Sequence, residues 1–171
     1  GTLAEALAAC GMAEGYLDWK WDDGMRSLDR ALEINPNLAI AYYHRAWYHA
    51  LLGRMKEAIE DHRRAQELDP LNPLNTAWLG ELYRWEGRLD EAEAEARRAI
   101  EMDPSFPPSY FVLGLVYQDR GLYDQAIAEM QKAEEASPAW HWAVGPTYVR
   151  AGRTEEARDA LYAFTDCELS L

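Results

Sequence analysis

The spacing of hydrophobic and polar residues between positions 73 and 103 predicts two consecutive helices. Apolar side chains in the first helix recur every three or four residues, at Leu79, Leu82 and Tyr83. Pro73 suits the first helical position because the N–H it lacks would have no partner there, and Gly87 ends the helix because glycine tolerates a positive φ. Acidic residues begin the second helix, and Pro104 ends it by restricting the preceding residue.

This helix pair recurs along the chain with a period of 34 residues. Three residue types keep the period independently: Pro36, Pro70, Pro104 and Pro138; Gly53, Gly87 and Gly121; and Ala58, Ala92 and Ala126. A period of this length is typical of helical repeat proteins, in which each repeat packs against its neighbours. The small residues are predicted to lie where two helices cross closely, since larger side chains there would overpack.

The segments "TAWLGELY" (Thr76 to Tyr83) and "YFVLGLVY" (Tyr110 to Tyr117) both carry Leu-Gly-x-x-Tyr, and an alanine and a proline follow at fixed distances. In this pattern the chain resembles the tetratricopeptide repeat (TPR) family. The resemblance implies an all-α, right-handed superhelix of about five helix-turn-helix repeats that forms a single domain over residues 1–171. The repeats are predicted at about 3–38, 39–72, 73–106, 107–138 and 138–166.

The last repeat arrives three residues early, and two others carry unusual residues at positions that the family pattern fixes. The first is degenerate, because Gly24 stands where the alanine of the second helix belongs. In the second repeat, Arg45 and His49 stand where leucine and tyrosine are usual. These departures leave the local packing of the two repeats open, while the predicted fold stays the same.

The second repeat opens with "AYYHRAWYHALLG" (Ala41 to Gly53), which has more aromatic rings than a buried helix needs. The resemblance implies that first helices line a concave groove, and its phase selects the residues that face it. They are Tyr43, His44, Trp47, Trp78, Glu81, Arg84, Trp85, Phe111, Leu115 and Trp142. Soluble proteins seldom leave such an apolar surface unoccupied, and tryptophan and tyrosine commonly anchor partners. The alternative is that the rings pack on each other and tighten the superhelix.

These residues favour a non-enzymatic protein-interaction module that binds an apolar or amphipathic peptide segment. Some TPR proteins clamp a terminal carboxylate with Lys and Asn, but the equivalent positions here include His44, Leu74 and Trp78. Arg84 is expected either to meet an acidic side chain of a partner or to pair with a neighbouring glutamate. A hydrophobic small-molecule or lipid-binding groove is an alternative function.

Another alternative is a self-associating scaffold, in which the helix at residues 3–15 forms the interface of a homo-oligomer. That helix is apolar on all sides, with only Glu5 and Glu14 charged, and all-round apolarity indicates burial. The segment "GYLDWKWDDG" (Gly15 to Gly24) also resembles TPR arrays of bacterial signalling proteins, so a larger bacterial regulatory protein is one interpretation. The tail "DALYAFTDCELSL" is a further candidate to fill the groove.

Composition narrows the partners. The formal net charge of −13 disfavours nucleic acid and anionic membranes, and the chain contains no long apolar segment. Two cysteines far apart, Cys10 and Cys167, favour a reduced, cytoplasmic location. The four histidines match no metal-binding or catalytic motif, so no metal, cofactor or enzymatic activity is expected.

Overall fold

The computed structural model describes the backbone of residues 2–168 and the side chains as far as residue 162. The described residues form ten α-helices and one short 3-10 helix, and contain no strand. The helices are α1 (Leu3–Tyr16), α2 (Trp21–Ile34), α3 (Ala39–Leu51), α4 (Met55–Leu68), α5 (Pro73–Trp85), α6 (Leu89–Met102), α7 (Pro107–Asp119), α8 (Tyr123–Ala136), α9 (Gly145–Arg150) and α10 (Thr154–Glu168). The predicted all-α class is therefore confirmed.

The helices begin and end at the residues that the sequence pattern marks. Pro73 begins α5, and the Asn72 side-chain oxygen accepts a hydrogen bond from the Leu74 N–H at 3.0 Å. Gly87 follows α5 with a φ of 75°, which a residue with a side chain rarely adopts. The equivalent glycines at positions 53 and 121 have the same φ. The turn between the two helices of a pair is therefore repeated with the sequence period.

Packing divides the chain into two compact units, one ending at Asn75 and the other beginning at Thr76. In the first unit, α1 packs against α2, α2 against α3, and α3 against α4. Its main core cluster consists of Ala8, Leu28, Ala31, Leu32, Ala41 and Tyr48. Half of these side chains are alanine, which lets the helices approach one another closely.

In the second unit, α7 packs against both α6 and α8. The core is made of two clusters, formed by Ala96, Val112, Leu113, Tyr117 and Ala126 and by Ile127, Met130, Val144 and Tyr148. A Cβ added to Gly80 would lie 3.0 Å from the Ala92 carbonyl oxygen. The close crossing of α5 and α6 that the small residues predict is therefore present.

The last repeat differs from the others because its first helix is broken. A 3-10 helix covers Pro138–Ala143, and α9 covers only Gly145–Arg150 before α10 begins. Pro146 lacks the N–H that a continuous helix would use at that position. The tail proposed to fill the groove lies largely outside the residues whose side chains are described.

The N-terminal helix predicted at residues 3–15 is α1. A capping box starts it, since Thr2 and Glu5 each accept a hydrogen bond from the other's backbone N–H. One face is buried within the chain through Ala4, Ala8, Gly11 and Gly15. Leu3 and Met12, which flank this face on either side of the helix, are exposed. The use of this helix in an oligomer stays a prediction.

Candidate protein-interaction surface

The aromatic residues that α3 contributes in the first unit rest on a histidine from α4. The His62 ring centroid lies 5.3 Å from that of Tyr43 and 6.3 Å from that of Trp47. His62 is fully buried, and Tyr43 and Trp47 are half-buried. Each of the two aromatic rings therefore has one side packed inside the unit and part of its surface left for contact.

His62 and His44 belong to the interior of the first unit. His44 is only 9% exposed, and its ring meets Tyr16 and Tyr43 edge-on. Burial lowers the pKa of His44 to about 4 and that of His62 to about 3. Both imidazoles are therefore neutral near pH 7, and His44 offers a partner little surface.

Tyr48, on the same helix, fills a slot lined by glycine. Its hydroxyl donates a hydrogen bond to the Gly11 carbonyl oxygen at 2.6 Å, and its side chain is 0% exposed. A Cβ added to Gly15 would overlap the Tyr48 hydroxyl, and one added to Gly24 would lie 2.9 Å from the ring. The degenerate first repeat thus has glycine at position 24 because the Gly11 carbonyl oxygen, 2.7 Å from an added Cβ, and the Tyr48 ring occupy the space of a side chain.

The arginine that departs from the family pattern is held by an ion cluster. The Arg45 guanidinium donates two hydrogen bonds to Asp61, both of 2.7 Å, and one of 2.8 Å to Asp29. These bonds raise the pKa of Arg45 further above its ordinary value. His49 Nε2 lies 3.6 Å from the buried Asp61 carboxylate. An ionic contact therefore replaces the apolar one expected at this repeat position.

The second unit holds a comparable cluster at Arg84. Its guanidinium donates to both Glu81 oxygens, at 2.8 and 2.7 Å, and to Asp119 at 2.5 Å. Burial lowers the pKa of Arg84, but the hydrogen bonds and charges of the two carboxylates outweigh this effect and raise it overall. Glu81 is 5% exposed. Arg84 pairs within the chain, and a carboxylate from a partner would have to displace these contacts.

The two tryptophans of α5 differ in burial. Trp78 is half-buried and packs against the cluster around Val112, Leu113 and Ala126. Trp85, at the end of the same helix, is 44% exposed. Trp78 therefore contributes to the core of the second unit, whereas much of Trp85 is accessible to a partner.

The remaining predicted aromatic residues meet in the second unit. The Phe111 ring lies 5.2 Å from Trp140 and 5.4 Å from Trp142, and the two indoles stack at 5.6 Å. Trp142 is 46% exposed, while Phe111 and Leu115 pack partly against the core. These three rings, Phe111, Trp140 and Trp142, are called the Trp142 cluster below.

The sequence pattern did not select Trp140 or His62 for this surface. Trp140 lies in the 3-10 helix after Pro138, where the phase of a regular first helix does not apply. His62 is on α4, a second helix, whereas the family pattern points only to first helices. The sequence "WHW" after Pro138 places a second tryptophan two residues from Trp142, but the spacing alone does not predict that the two indoles stack, because residues i and i+3 share a face of a 3-10 helix.

Metal binding finds no support in the described part of the chain. Among residues 2–162, whose side chains are described, no three side chains of histidine, cysteine, aspartate or glutamate are grouped so that they could hold a metal ion. Over the same described residues, no helix combines the length and the apolar character needed to cross a membrane.

Comparison with known proteins supports the repeat assignment. Three family models described as tetratricopeptide repeat match residues 20–73, 77–106 and 95–128, which together span more than half of the chain. No curated protein sequence matches significantly.

Solved structures show the same fold. A thermophilic TPR protein from Thermus thermophilus is 25% identical with a TM-score of 0.81, over 92% of this chain and 87% of that one. MamA is 22% identical with a TM-score of 0.67, over 92% and 94%. A chain of the APC/C hetero-tetramer Cut9–Hcn1 is 20% identical with a TM-score of 0.83, over 93% of this chain and 32% of that one.

Proposed function

Because the chain belongs to the tetratricopeptide repeat family, whose fold is that of protein-interaction scaffolds, we propose that it is a non-enzymatic module that binds an apolar or amphipathic peptide segment. The contacts come from the aromatic side chains of the first helices. In the first unit these are Tyr43 and Trp47, and in the second unit they are Trp85 and the Trp142 cluster.

One observation carries the proposal: large aromatic rings at the predicted positions keep much of their surface accessible. Trp85 is 44% and Trp142 46% exposed, and tryptophan is among the residues that most often anchor a protein partner. The Trp142 indole stacks on that of Trp140, so it is held in place before a partner arrives. Rigid anchors of this kind reduce the ordering cost of binding.

The ion clusters favour an apolar partner segment over an acidic one. Arg84 is bonded to Glu81 and Asp119, and Arg45 to Asp61 and Asp29. Neither guanidinium is an open site for a carboxylate, since binding there would break charge-assisted hydrogen bonds. His44 and Glu81 are buried, so they support the surface from below and contribute little contact area.

The test is a random peptide library displayed on phage and selected on the wild-type protein. Selected peptides should be rich in large apolar residues, and their affinity should fall about tenfold or more for Trp85→Ala or Trp47→Ala. Trp19→Ala is the matched control, because it removes the same side chain at a position outside the first helices. Trp19 is 72% exposed and lies in the loop before α2. Circular dichroism should establish first that all variants are folded.

Equal loss of affinity for Trp85→Ala and Trp19→Ala would contradict the proposal. Light scattering behind a sizing column distinguishes the self-associating scaffold from the peptide-binding module, since the scaffold requires an oligomer without any peptide. Native mass spectrometry separates the lipid or small-molecule groove, which would retain a ligand of defined mass. The cytoplasmic location and the bacterial signalling context stay predictions.

A further inference from the structure

A groove between α9 and α10 lies outside the set of positions that the repeat pattern selected, apart from Trp142. It has a volume of about 360 Å³ and is lined mainly by apolar side chains. Its walls are Trp142, Val149 and Leu161, which are 46%, 67% and 60% exposed. Its floor is made of small residues, including Gly145, Ala157 and Ala160. This feature is called the end groove.

The end groove has the form that receives a helix. Its lining residues follow helical spacing on both sides, at positions 145, 146 and 149 of α9 and positions 157, 160 and 161 of α10. Two helices side by side present ridges and a furrow between them, into which side chains of a third helix pack. A Cβ added to Gly145 would meet only the Ala160 Cβ, at 4.0 Å, so the floor is open.

An acidic recess adjoins the end groove and shares His141 and Ala160 with it. Three carboxylates line this recess: Glu134, Glu156 and Asp159. Glu156 is paired with Arg153 at 2.7 Å, whereas Glu134 and Asp159 form no ion pair with any described residue. The unbalanced charge beside an apolar furrow favours a partner with a positive residue next to its apolar face.

From this juxtaposition we infer that the end groove binds an amphipathic helix of another protein, whose apolar face fills the furrow and whose Lys or Arg enters the acidic recess. The same charges disfavour the exposed face of α1 from a second copy as the occupant. The charged residues of α1 are Glu5 and Glu14, and it has no basic side chain. Its carboxylates would be brought towards Glu134 and Asp159. This inference goes beyond the proposed function, because most residues of the end groove come from α9 and α10 and only Trp142 is shared with the first-helix surface.

The experiment uses the full chain and a fluorescently labelled model helix of about 18 residues, made of Leu and Lys with the leucines on one face. Its counterpart has Glu in place of every Lys. Fluorescence anisotropy should show that the Leu/Lys helix binds at least about tenfold more tightly than the Leu/Glu helix. Val149→Lys should weaken the binding of the Leu/Lys helix about tenfold.

Two matched controls separate the groove from general attraction to an acidic chain. Leu71→Lys changes the net charge as Val149→Lys does, at a leucine that is 84% exposed in the first unit, and should alter affinity less than about twofold. Glu134→Gln should weaken binding about threefold, whereas Glu135→Gln, at the next residue of α8, should not.

Several results would overturn the inference. One is equal weakening by Val149→Lys and Leu71→Lys, which would mean that only net charge attracts the peptide. Another is equal binding of the two model helices. Loss of binding in Trp85→Ala but not in Val149→Lys would place the peptide on the first-helix surface, so the proposed function would stand while this inference failed. A concentration-dependent dimer of the free protein that Val149→Lys abolishes would make a second copy the occupant.

Discussion

In the first unit, α1 and α2 approach each other at glycines that surround the rigid Tyr48 ring, whereas in the second unit α7 and α8 approach at Gly114 beside the flexible Met130. A Cβ on Gly114 would lie 2.8 Å from Met130 Cγ and 3.1 Å from the Ala126 carbonyl oxygen, so it requires Met130 to adopt another rotamer and only a small shift of the backbone. Tyr48 is anchored by its hydrogen bond to Gly11 and cannot move in this way. The helix crossings of the two units therefore differ in how well they tolerate an added methyl group.

The buried polar residues differ in the same way. The first unit buries two histidines, His44 and His62, whose ring nitrogens include three without a hydrogen-bond partner. In the second unit, the buried Thr147 hydroxyl donates to Gln118 at 2.9 Å, and the buried Glu81 carboxylate is paired with Arg84. Unpaired buried imidazoles become costly when acid charges them, while a hydroxyl–amide pair is indifferent to acid. We therefore expect the first unit to tolerate both glycine substitution and acid less well than the second unit.

The largest expected effect is that of Gly15→Ala. The new methyl group overlaps the Tyr48 hydroxyl, so the ring must leave its slot, and the free energy of unfolding should fall by about 3 kcal/mol. Urea unfolding followed by circular dichroism measures this change. The matched variant in the second unit is Gly114→Ala, which should change the free energy of unfolding by no more than about 1 kcal/mol. Equal effects would remove the contrast between the units.

A smaller loss is expected for Arg45→Leu, although the substitution restores the residue that the family pattern favours. Asp61 is 8% exposed, and without Arg45 it loses both short hydrogen bonds, so the free energy of unfolding should fall by about 2 kcal/mol. The double variant Arg45→Leu/Asp61→Leu should return to within about 1 kcal/mol of wild type. Thermal or urea unfolding of the wild type, the single variant and the double variant measures these changes. A single variant as stable as wild type would contradict the role assigned to the cluster.

The smallest effect at neutral pH is expected for His62→Leu. This change removes two buried, unpartnered nitrogens at similar volume, and should leave the free energy of unfolding unchanged or raise it by about 1 kcal/mol. Urea unfolding at pH 7 measures it. A marked loss of stability would mean that the imidazole makes contacts that leucine cannot replace.

The same variant tests the pH dependence. Unfolded histidines bind protons near pH 6.5, whereas in the folded chain His44 does so at about 4 and His62 at about 3. Below about pH 6.5 the unfolded state therefore binds more protons, and stability should fall with pH until these lower values are reached. His62→Leu should flatten the fall between about pH 6.5 and 3, measured by urea unfolding at stepped pH. An unchanged slope would show that His62 is not its source.

The sequence determined the helices, the repeat period and the family, because these depend on signals that act over short distances. Prolines, glycines and helical spacing fix where each helix begins and ends within one repeat, as at Pro73 and Gly87. Where a proline interrupts this logic, as Pro146 does, the regular phase fails and Trp140 was missed.

Only the tertiary structure decided how deeply each predicted groove residue is buried. The repeat phase gave Trp78 and Trp85 the same role, but packing partly buries Trp78 and leaves Trp85 44% exposed. Packing also buries His44, which contacts Tyr16 of α1, and Glu81, which pairs with Arg84 of the next helical turn. Tyr48 reaches Gly11, 37 residues earlier in sequence. Burial depends on such distant neighbours, and a periodic pattern repeats every 34 residues without recording which of them fills a given space.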